Sequence, residues 1–268
     1  MKLSRVPRKF AAIVRRDWID CLRHRAGFIV QAGTMAAQLT GFYFFARAVG
    51  PHYRPDGLDY YPFLLIGTAM FSFFLSGING FVAGIKEAQM TGTFEVMMNT
   101  STPAPLIVAL GAFSIFSGRM IRMLAFIAAG AIPYASAFHP NWPALTLVTL
   151  LSVLAAVAMA MFAASVQVLA HRGDAVVWLF GILGWLLTGM AFPVSGLPAA
   201  LRHCAALIPA TYSIQGLRAA LLLGGSWDPV LRPLALLALG AAALLPLSAL
   251  LFAAVVRRAR WDGSLSFY

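Results

Sequence analysis

Ser195 and His203 have the residue types that could support nucleophilic chemistry, because a histidine beside a serine can accept the hydroxyl proton. Such a pair also needs a third group that orients the histidine. Here a proline-rich turn separates the two residues, and no obvious partner orients His203. We therefore expect both to be ordinary loop residues. A membrane-embedded enzyme that acts on lipid stays open as the alternative function.

Motifs for nucleotides and metals are absent from the sequence. The glycines lie within apolar runs, and no Gly-x-x-x-x-Gly-Lys-Ser/Thr loop is present to hold phosphates. The two cysteines, Cys21 and Cys204, have no zinc-type spacing. We expect the chain itself to bind no cofactor or metal and to hydrolyse no ATP, so any energy source must lie in another protein.

The long apolar runs contain no carboxylate. A carrier coupled to protons or sodium usually needs one within the membrane, so the sequence argues against this class of transporter. Polar side chains do occur there, and Gln31, Thr34 and Gln38 share one face of the first predicted span. This face has two interpretations. It either forms hydrogen bonds between helices or lines a route for an amphipathic substrate.

The composition defines the elements that must position these residues. The chain has 268 residues, of which 60% are hydrophobic and 11% charged, with a mean hydropathy of +0.81. Soluble domains have about 25% charged residues. We predict an all-α integral membrane protein with a single domain over residues 1–268. The net charge of +11 resides beside the apolar runs, where membrane orientation explains it better than nucleic-acid binding does.

Six apolar runs are long enough to cross a bilayer, which predicts a six-helix bundle. The third is placed so that Arg119 and Arg122 lie at the cytosolic interface, since each would be costly within the membrane. Residues 105–116 are then expected to form a separate helix on the membrane surface. The predicted spans cover residues 27–48, 60–83, 117–138, 143–168, 175–193 and 233–256.

The distribution of basic residues predicts that both termini are cytoplasmic. With the N-terminus inside and six spans, 15 of the 20 Lys and Arg residues lie on the cytosolic side, as the positive-inside rule requires. Residues 1–26 are predicted to form an amphipathic interfacial helix, in which Phe10, Val14, Trp18 and Leu22 make an apolar row. Such a helix either serves only as an anchor held by anionic membrane lipids or also contacts a cytosolic partner.

Two segments between the spans stand out. Residues 84–104 contain a charged stretch from Lys86 to Glu95, predicted to protrude into the cytosol. Residues 194–230 contain short apolar helices flanked by prolines, which cannot form one straight span. This second segment is predicted to enter the outer leaflet and return, which requires protein to cover its backbone polar groups.

Several short motifs resemble, in order and spacing, those of ABC-2 type transporter permeases. The resemblance covers nearly the whole chain. The motifs are Glu87, Gly92-Thr93-Phe94-Glu95, Thr102-Pro103, His171-Arg172-Gly173-Asp174, Phe192-Pro193-Val194-Ser195 with Leu197-Pro198, Ile208-Pro209-Ala210-Thr211-Tyr212 and Gly216-Leu217-Arg218.

The resemblance implies an exporter in a bacterial plasma membrane that moves a drug, a lipid, a lipo-oligosaccharide or a lipid-linked glycan. The permease would pair with a second copy, or with a different permease in a heterodimer, and with separate ATPase subunits that hold ATP and Mg²⁺. A non-transporting scaffold is a further alternative. The implied ATPase-coupling residues are Lys86, Glu87, Gly92, Thr93, Phe94 and Glu95, and the implied exit gate includes Phe192, Pro193, Pro198, Pro209 and Tyr212.

Overall fold

The computed structural model describes residues 25–50, 52–98, 103–170 and 172–261, and within these ranges the chain is helical without strands. The predicted interfacial helix of residues 1–26 falls almost wholly outside them. Three short 3₁₀ turns, Pro55–Gly57, Ile132–Ala137 and Val194–Gly196, connect longer elements. The α-helices are α1 Arg25–Val49, α2 Tyr60–Met90, α3 Thr93–Met98, α4 Ala104–Ala131, α5 Trp142–Ala170, α6 Gly173–Leu187, α7 Ala199–Ala206, α8 Pro209–Leu222 and α9 Asp228–Trp261.

The long helices run alternately between two ends of a bundle. We name these the Lys86 end, where α2 finishes, and the Arg218 end, where α2 begins. Four of the described helical segments are both long and apolar enough to cross a membrane: α2, α4 with its 3₁₀ extension, α5 and α9. Helix α1 has sufficient length at 25 residues, whereas α6 has only 15. The count of six spans therefore stays a prediction.

Helix α2 is the centre of the bundle. It is buried along almost its whole length, with Phe63, Phe74 and Ile78 among its most enclosed side chains. Burial on all sides explains why its sequence is apolar without a polar stripe. Helix α5 packs beside it and against α9 through buried alanines, which allow close approach of the helices.

Helix α4 corrects the prediction for the third span. Residues 104–131 form one continuous helix, so the expected break before residue 117 is wrong. The cause is packing: the apolar row Val108, Ala112 and Phe116 is buried against the core. The ring of Phe116 occupies the space where Gly77 of α2 lacks a side chain. Arg119 lies against Gly80 in the same way, with its guanidinium 2.9 Å from where a Cβ would stand.

Helix α6 is shorter than the predicted span of residues 175–193. It ends at Leu187, and the Thr188 hydroxyl donates a hydrogen bond to the Gly184 carbonyl at 2.5 Å. Gly189 then adopts a φ of +75°, the left-handed conformation that commonly terminates a helix. The chain from Gly189 onward leaves the helix axis and enters the segment predicted to be the gate.

Candidate functional site

The charged stretch at the Lys86 end is divided between two helices. Helix α2 continues through Lys86 and Glu87 to Met90, and only Glu95 lies on α3. The turn forms at Gly92, whose φ of +71° suits glycine. The Thr91 hydroxyl donates to the Glu87 carbonyl at 3.0 Å and the Thr93 hydroxyl to the Ala88 carbonyl at 3.3 Å.

Phe94 anchors α3 to the bundle. Only 1% of Phe94 is exposed, and its ring joins the main hydrophobic core. Phe94 therefore packs inward, whereas Glu87, Thr93 and Glu95 are exposed. The result is a fixed acidic surface at the Lys86 end, made of Glu87, Thr91, Gly92, Thr93 and Glu95, which we name the coupling surface.

Lys86 joins the coupling surface to α6. Its Nζ lies 2.6 Å from Oδ2 of Asp174, in the first turn of α6. Asp174 is also favourably placed near the positive end of the helix dipole. Because both side chains are partly exposed, we expect this ion pair to define the position of the helix ends more than to stabilise the fold.

A buried amide network lies next to this ion pair. Gln167 of α5 donates from Nε2 to Oε1 of Gln89 at 3.0 Å and accepts at Oε1 from the backbone N–H of Gly173 at 2.8 Å. Both glutamines are fully buried. The network therefore fastens the ends of α2 and α5 to the start of α6. Nε2 of Gln89 has no partner within the described part of the chain.

Arg218 of α8 organises the opposite end. Its side chain is 6% exposed and donates hydrogen bonds to three backbone carbonyls. Nε and one terminal nitrogen bond to Phe63 at 3.1 and 2.8 Å, and the terminal nitrogens also reach Gly189 at 2.9 Å and Met190 at 2.7 Å. We name Arg218, Phe63, Gly189 and Met190 the arginine clasp, because they hold α8 to α2 and to the end of α6.

Carbonyl dipoles and a ring neutralise the charge of Arg218. In the described ranges no carboxylate forms an ion pair with it, and its guanidinium carbon lies 3.3 Å from the centroid of the Phe63 ring. Two of the carbonyls, those of Gly189 and Met190, directly follow the C-terminal end of α6, where the helix dipole is negative, and the third belongs to Phe63 in the first turn of α2. Gly67 leaves room for the clasp, since a Cβ there would overlap the Met190 carbonyl and the guanidinium.

The predicted gate residues lie at the Arg218 end and differ in burial. Phe192 and Pro198 are exposed, Pro193 and Tyr212 are half-buried, and Pro209 is buried at the start of α8. The hydroxyls of Thr211 and Tyr212 each donate at 2.9 Å to the carbonyls of Ala205 and Ala206. These bonds satisfy the last carbonyls of α7 and set the turn between α7 and α8.

Ser195 and His203 are not paired with each other. The Ser195 hydroxyl donates to Oδ1 of Asp56 at 3.2 Å, and Nδ1 of His203 lies 2.8 Å from the Ala199 carbonyl within its own helix. This geometry lacks the serine–histidine bond that nucleophilic catalysis requires. Within the described residues, no three His, Cys, Asp or Glu side chains are grouped as a metal site would need.

The polar residues predicted for the first span lie on one helix. Gln31, Thr34 and Gln38 all belong to α1, and Thr34 and Gln38 are exposed in the single chain. Their assignment to a substrate pathway stays a prediction. Helix α1 packs on α2 chiefly through its C-terminal half, where Leu39, Phe42 and Ala46 meet Tyr60 and Tyr61.

Sequence reasoning missed the residues that connect the site to the bundle. Arg218 was named only as part of the motif Gly216-Leu217-Arg218, and Gln89 received no role. The available signal for Arg218 was its place among apolar residues in a helix-compatible run, which favours burial of one face. Asp174 was part of a recognised motif, but nothing in its spacing indicated Lys86 as its partner.

Comparison with known proteins gives one finding. A family model described as ABC-2 type transporter matches residues 8–222 of the 268. No curated protein matched the chain. The matched range includes the coupling surface, the amide network and the arginine clasp. The chain therefore belongs to the ABC-2 type transporter family, as a multi-pass membrane permease that works with an ATP-binding subunit.

Proposed function

We propose that the chain is the transmembrane subunit of an exporter for an amphipathic or lipid-like substrate: a drug, a lipid, a lipo-oligosaccharide or a lipid-linked glycan. Two copies form the membrane core, and each binds a separate subunit that holds ATP and Mg²⁺ and supplies the hydrolysis. The core resides in the bacterial plasma membrane with both termini in the cytoplasm. The chain itself performs no catalysis.

One observation carries the proposal: the coupling surface is acidic, exposed and rigidly attached. Glu87 and Glu95 face solvent from two helices, while Phe94 fixes α3 in the core. Because α3 is anchored in the core, a partner that moves this surface moves the ends of the helices with it. The movement is transmitted to the start of α6 through the Lys86–Asp174 ion pair and the amide network.

Helix α2 connects this surface to the proposed gate. Lys86 and Phe63 lie 23 residues apart on one helix, so the separation along its axis is about 34 Å at 1.5 Å per residue. This distance is close to the thickness of a membrane's hydrocarbon core. Closure of the ATPases on ATP would thus reach the arginine clasp through rigid helices, in the manner of a rigid-body switch.

The exposed side chains of α1 and α6 support a second copy as partner. Phe44 of α1 and Trp178 of α6 are more than 60% exposed in the single chain. Contact with a second permease or with lipid would cover them. Gln31, Thr34 and Gln38 would then line the substrate pathway between the two copies.

The coupling assignment is tested by charge reversal. We expect the double variant Glu87→Lys, Glu95→Lys to bind the partner ATPase about tenfold more weakly and to lose stimulation of ATP hydrolysis, because complementary charges at an interface become repulsive. The matched control is Asp228→Lys, an exposed acidic residue at the Arg218 end. Unchanged pull-down and unchanged ATPase stimulation in the double variant would contradict the assignment.

The export assignment is tested with inverted membrane vesicles. Labelled candidate lipids and drugs should accumulate only when the partner ATPase and ATP are present, and Ser195→Ala should transport normally. Accumulation that is equal without the ATPase would exclude ATP-driven export. Loss of chemical turnover of a lipid in Ser195→Ala would favour the enzyme instead.

A further inference from the structure

A cavity of about 210 Å³ opens at the Arg218 end, and its lining combines aromatic rings with charge. It lies where the end of α1, the segment before α2 and the 3₁₀ turn after α4 meet. The proposed function assigns it no role. The lining consists of Ala46, Arg47, Gly50, Tyr53, Arg54, Asp59, Tyr60, Tyr61 and Tyr134.

The aromatic wall of this cavity is fixed by its own contacts. Tyr61 and Tyr134 stack with ring centroids 4.8 Å apart, and the Tyr61 hydroxyl donates to the Gly130 carbonyl at 2.9 Å. Tyr53 meets Tyr60 edge to face at 5.1 Å. Tyr60 and Tyr61 are both buried. A ligand would therefore find a preformed wall, which lowers the entropic cost of binding.

The hydroxyls of Tyr53 and Tyr60 in this wall are available to form hydrogen bonds with a ligand. In contrast to Tyr61, neither Tyr53 nor Tyr60 forms a side-chain hydrogen bond with any residue in the described ranges. Rings that merely anchor a protein at the membrane interface point outward into the headgroup layer. Tyr60 instead is 5% exposed and lines the cavity, so its hydroxyl is available to a ligand bound there.

The charge of the cavity is positive. Arg54 and Asp59 pair at 3.1 Å and remain well exposed. Arg47 has no ion pair within the described part of the chain, which leaves one positive charge in excess. A guanidinium with a neighbouring guanidinium and phenol donors matches the oxygens of a phosphate group.

The size of the cavity limits the ligand. Pockets for drug-sized molecules have volumes of about 300–1,000 Å³, so a cavity of about 210 Å³ holds a headgroup and leaves a longer molecule outside. A phosphate group with a single negative charge, such as a diester, fits both the volume and the charge. The same chemistry is offered by free phosphate and by the headgroup of an anionic lipid.

We propose that this cavity is a binding site for a phosphate group, in which the excess charge of Arg47 balances the phosphate, and the Arg54 guanidinium and the hydroxyls of Tyr53 and Tyr60 donate hydrogen bonds. Binding is a property of this chain alone and does not depend on export. The site also adjoins the arginine clasp, because the Tyr60 ring stacks on Phe63 and the Arg218 guanidinium lies over the Phe63 ring.

The test uses the full chain in phosphatidylcholine nanodiscs without any ATPase. Inorganic phosphate is titrated in one arm, and phosphatidylglycerol is added to the nanodiscs in the other, with binding followed by native mass spectrometry. We expect Arg47→Gln to bind the favoured probe about tenfold more weakly, as loss of one charge-assisted bond predicts. Tyr53→Phe should weaken binding by a smaller factor.

The control is Arg232→Gln, an exposed arginine on α9 that does not line the cavity. It should bind as the wild type does. Retention of phosphatidylglycerol alone would identify the source as lipid, and binding of inorganic phosphate would identify a soluble ligand. Equal loss in Arg47→Gln and Arg232→Gln, or no binding of either probe by the wild type, would overturn the proposal. Arg54→Lys, which keeps the charge, tests the site again if Arg47→Gln fails to fold.

Discussion

Arg218 is a buried cation neutralised by backbone carbonyls and an aromatic ring. Burial of a charge is expensive unless hydrogen bonds replace its hydration, and the clasp supplies four such bonds. The buried glutamines pose the same problem at the other end. Here the hydrogen bonds only partly replace hydration: Gln167 makes two of them, whereas Nε2 of Gln89 has no partner in the described part of the chain.

This asymmetry predicts unequal effects of two similar substitutions. Gln167→Met would leave two further groups unpaired, Oε1 of Gln89 and the Gly173 N–H, and each costs about 1–3 kcal/mol. We expect it to destabilise the protein by about 2–5 kcal/mol. Gln89→Met removes the unpaired Nε2 of Gln89 but leaves Nε2 of Gln167 without its acceptor. The unfolding free energy should therefore change by no more than about 1 kcal/mol. Unfolding in detergent measures both, and equal losses would contradict the network.

The arginine clasp predicts a specific need for a guanidinium. Arg218→Lys keeps the charge, but one ammonium cannot reach Phe63, Gly189 and Met190 together. We expect a loss of about 1–3 kcal/mol in unfolding free energy, from at least one unpaired carbonyl. The control is Arg202→Lys, an exposed residue that bonds to the Leu197 carbonyl at 3.1 Å. Equal stability of the two lysine variants would argue against the clasp.

At the scale of elements, two glycines determine where helices stop. Gly92 separates α2 from α3, and Gly189 terminates α6, each with a positive φ. Gly92 lies within the coupling surface, and Gly189 comes shortly before the proposed gate. Helix termination thus sets the direction in which these segments leave the bundle.

Gly92→Ala tests this directly. An alanine at the same φ costs about 1–2 kcal/mol, so the variant should be less stable and should stimulate the ATPase less. Gly84→Ala is the matched control, since Gly84 is helical and has open space around it. It should be stabilised by up to about 1 kcal/mol, because alanine favours helix. Similar behaviour of the two alanine variants would contradict a role for the turn.

The sequence was sufficient for some elements and insufficient for others. Helices α5 and α9 were predicted well, because long apolar runs bounded by polar residues leave few alternatives. Helix α4 was predicted to be broken, since the cost of burying Arg119 was weighed without knowledge of Gly80 facing it. The contacts Lys86–Asp174 and Gln89–Gln167 join residues 88 and 78 positions apart. No local pattern reveals such pairings, which depend on how helices associate.

At the scale of the whole molecule, the proposed function depends on the orientation of the bundle in the membrane, because the Lys86 end must face the cytosolic ATPase. Cys204 is exposed on α7 at the Arg218 end, whereas Glu87 lies at the Lys86 end. In a bundle that crosses the membrane, the two positions are reached from opposite sides.

Cysteine labelling measures this orientation. With Cys21→Ser, the remaining Cys204 should react with a membrane-impermeant maleimide added to intact spheroplasts. A cysteine introduced by Glu87→Cys, with Cys21 and Cys204 both changed to serine, should react only after the membrane is permeabilised. The reverse pattern would invert the proposed topology and place the coupling surface where no ATPase can reach it.

The unbroken course of α2 has a mechanical consequence. The helix is about 46 Å long, so a tilt of about 5° around its midpoint displaces either tip by about 2 Å. Hydrogen bonds are lost over a displacement of that size. A small tilt of α2 caused at the ATPase side would therefore be enough to break the hydrogen bonds between Phe63 and Arg218. The movement reaches Phe63 because α2 is one uninterrupted helix.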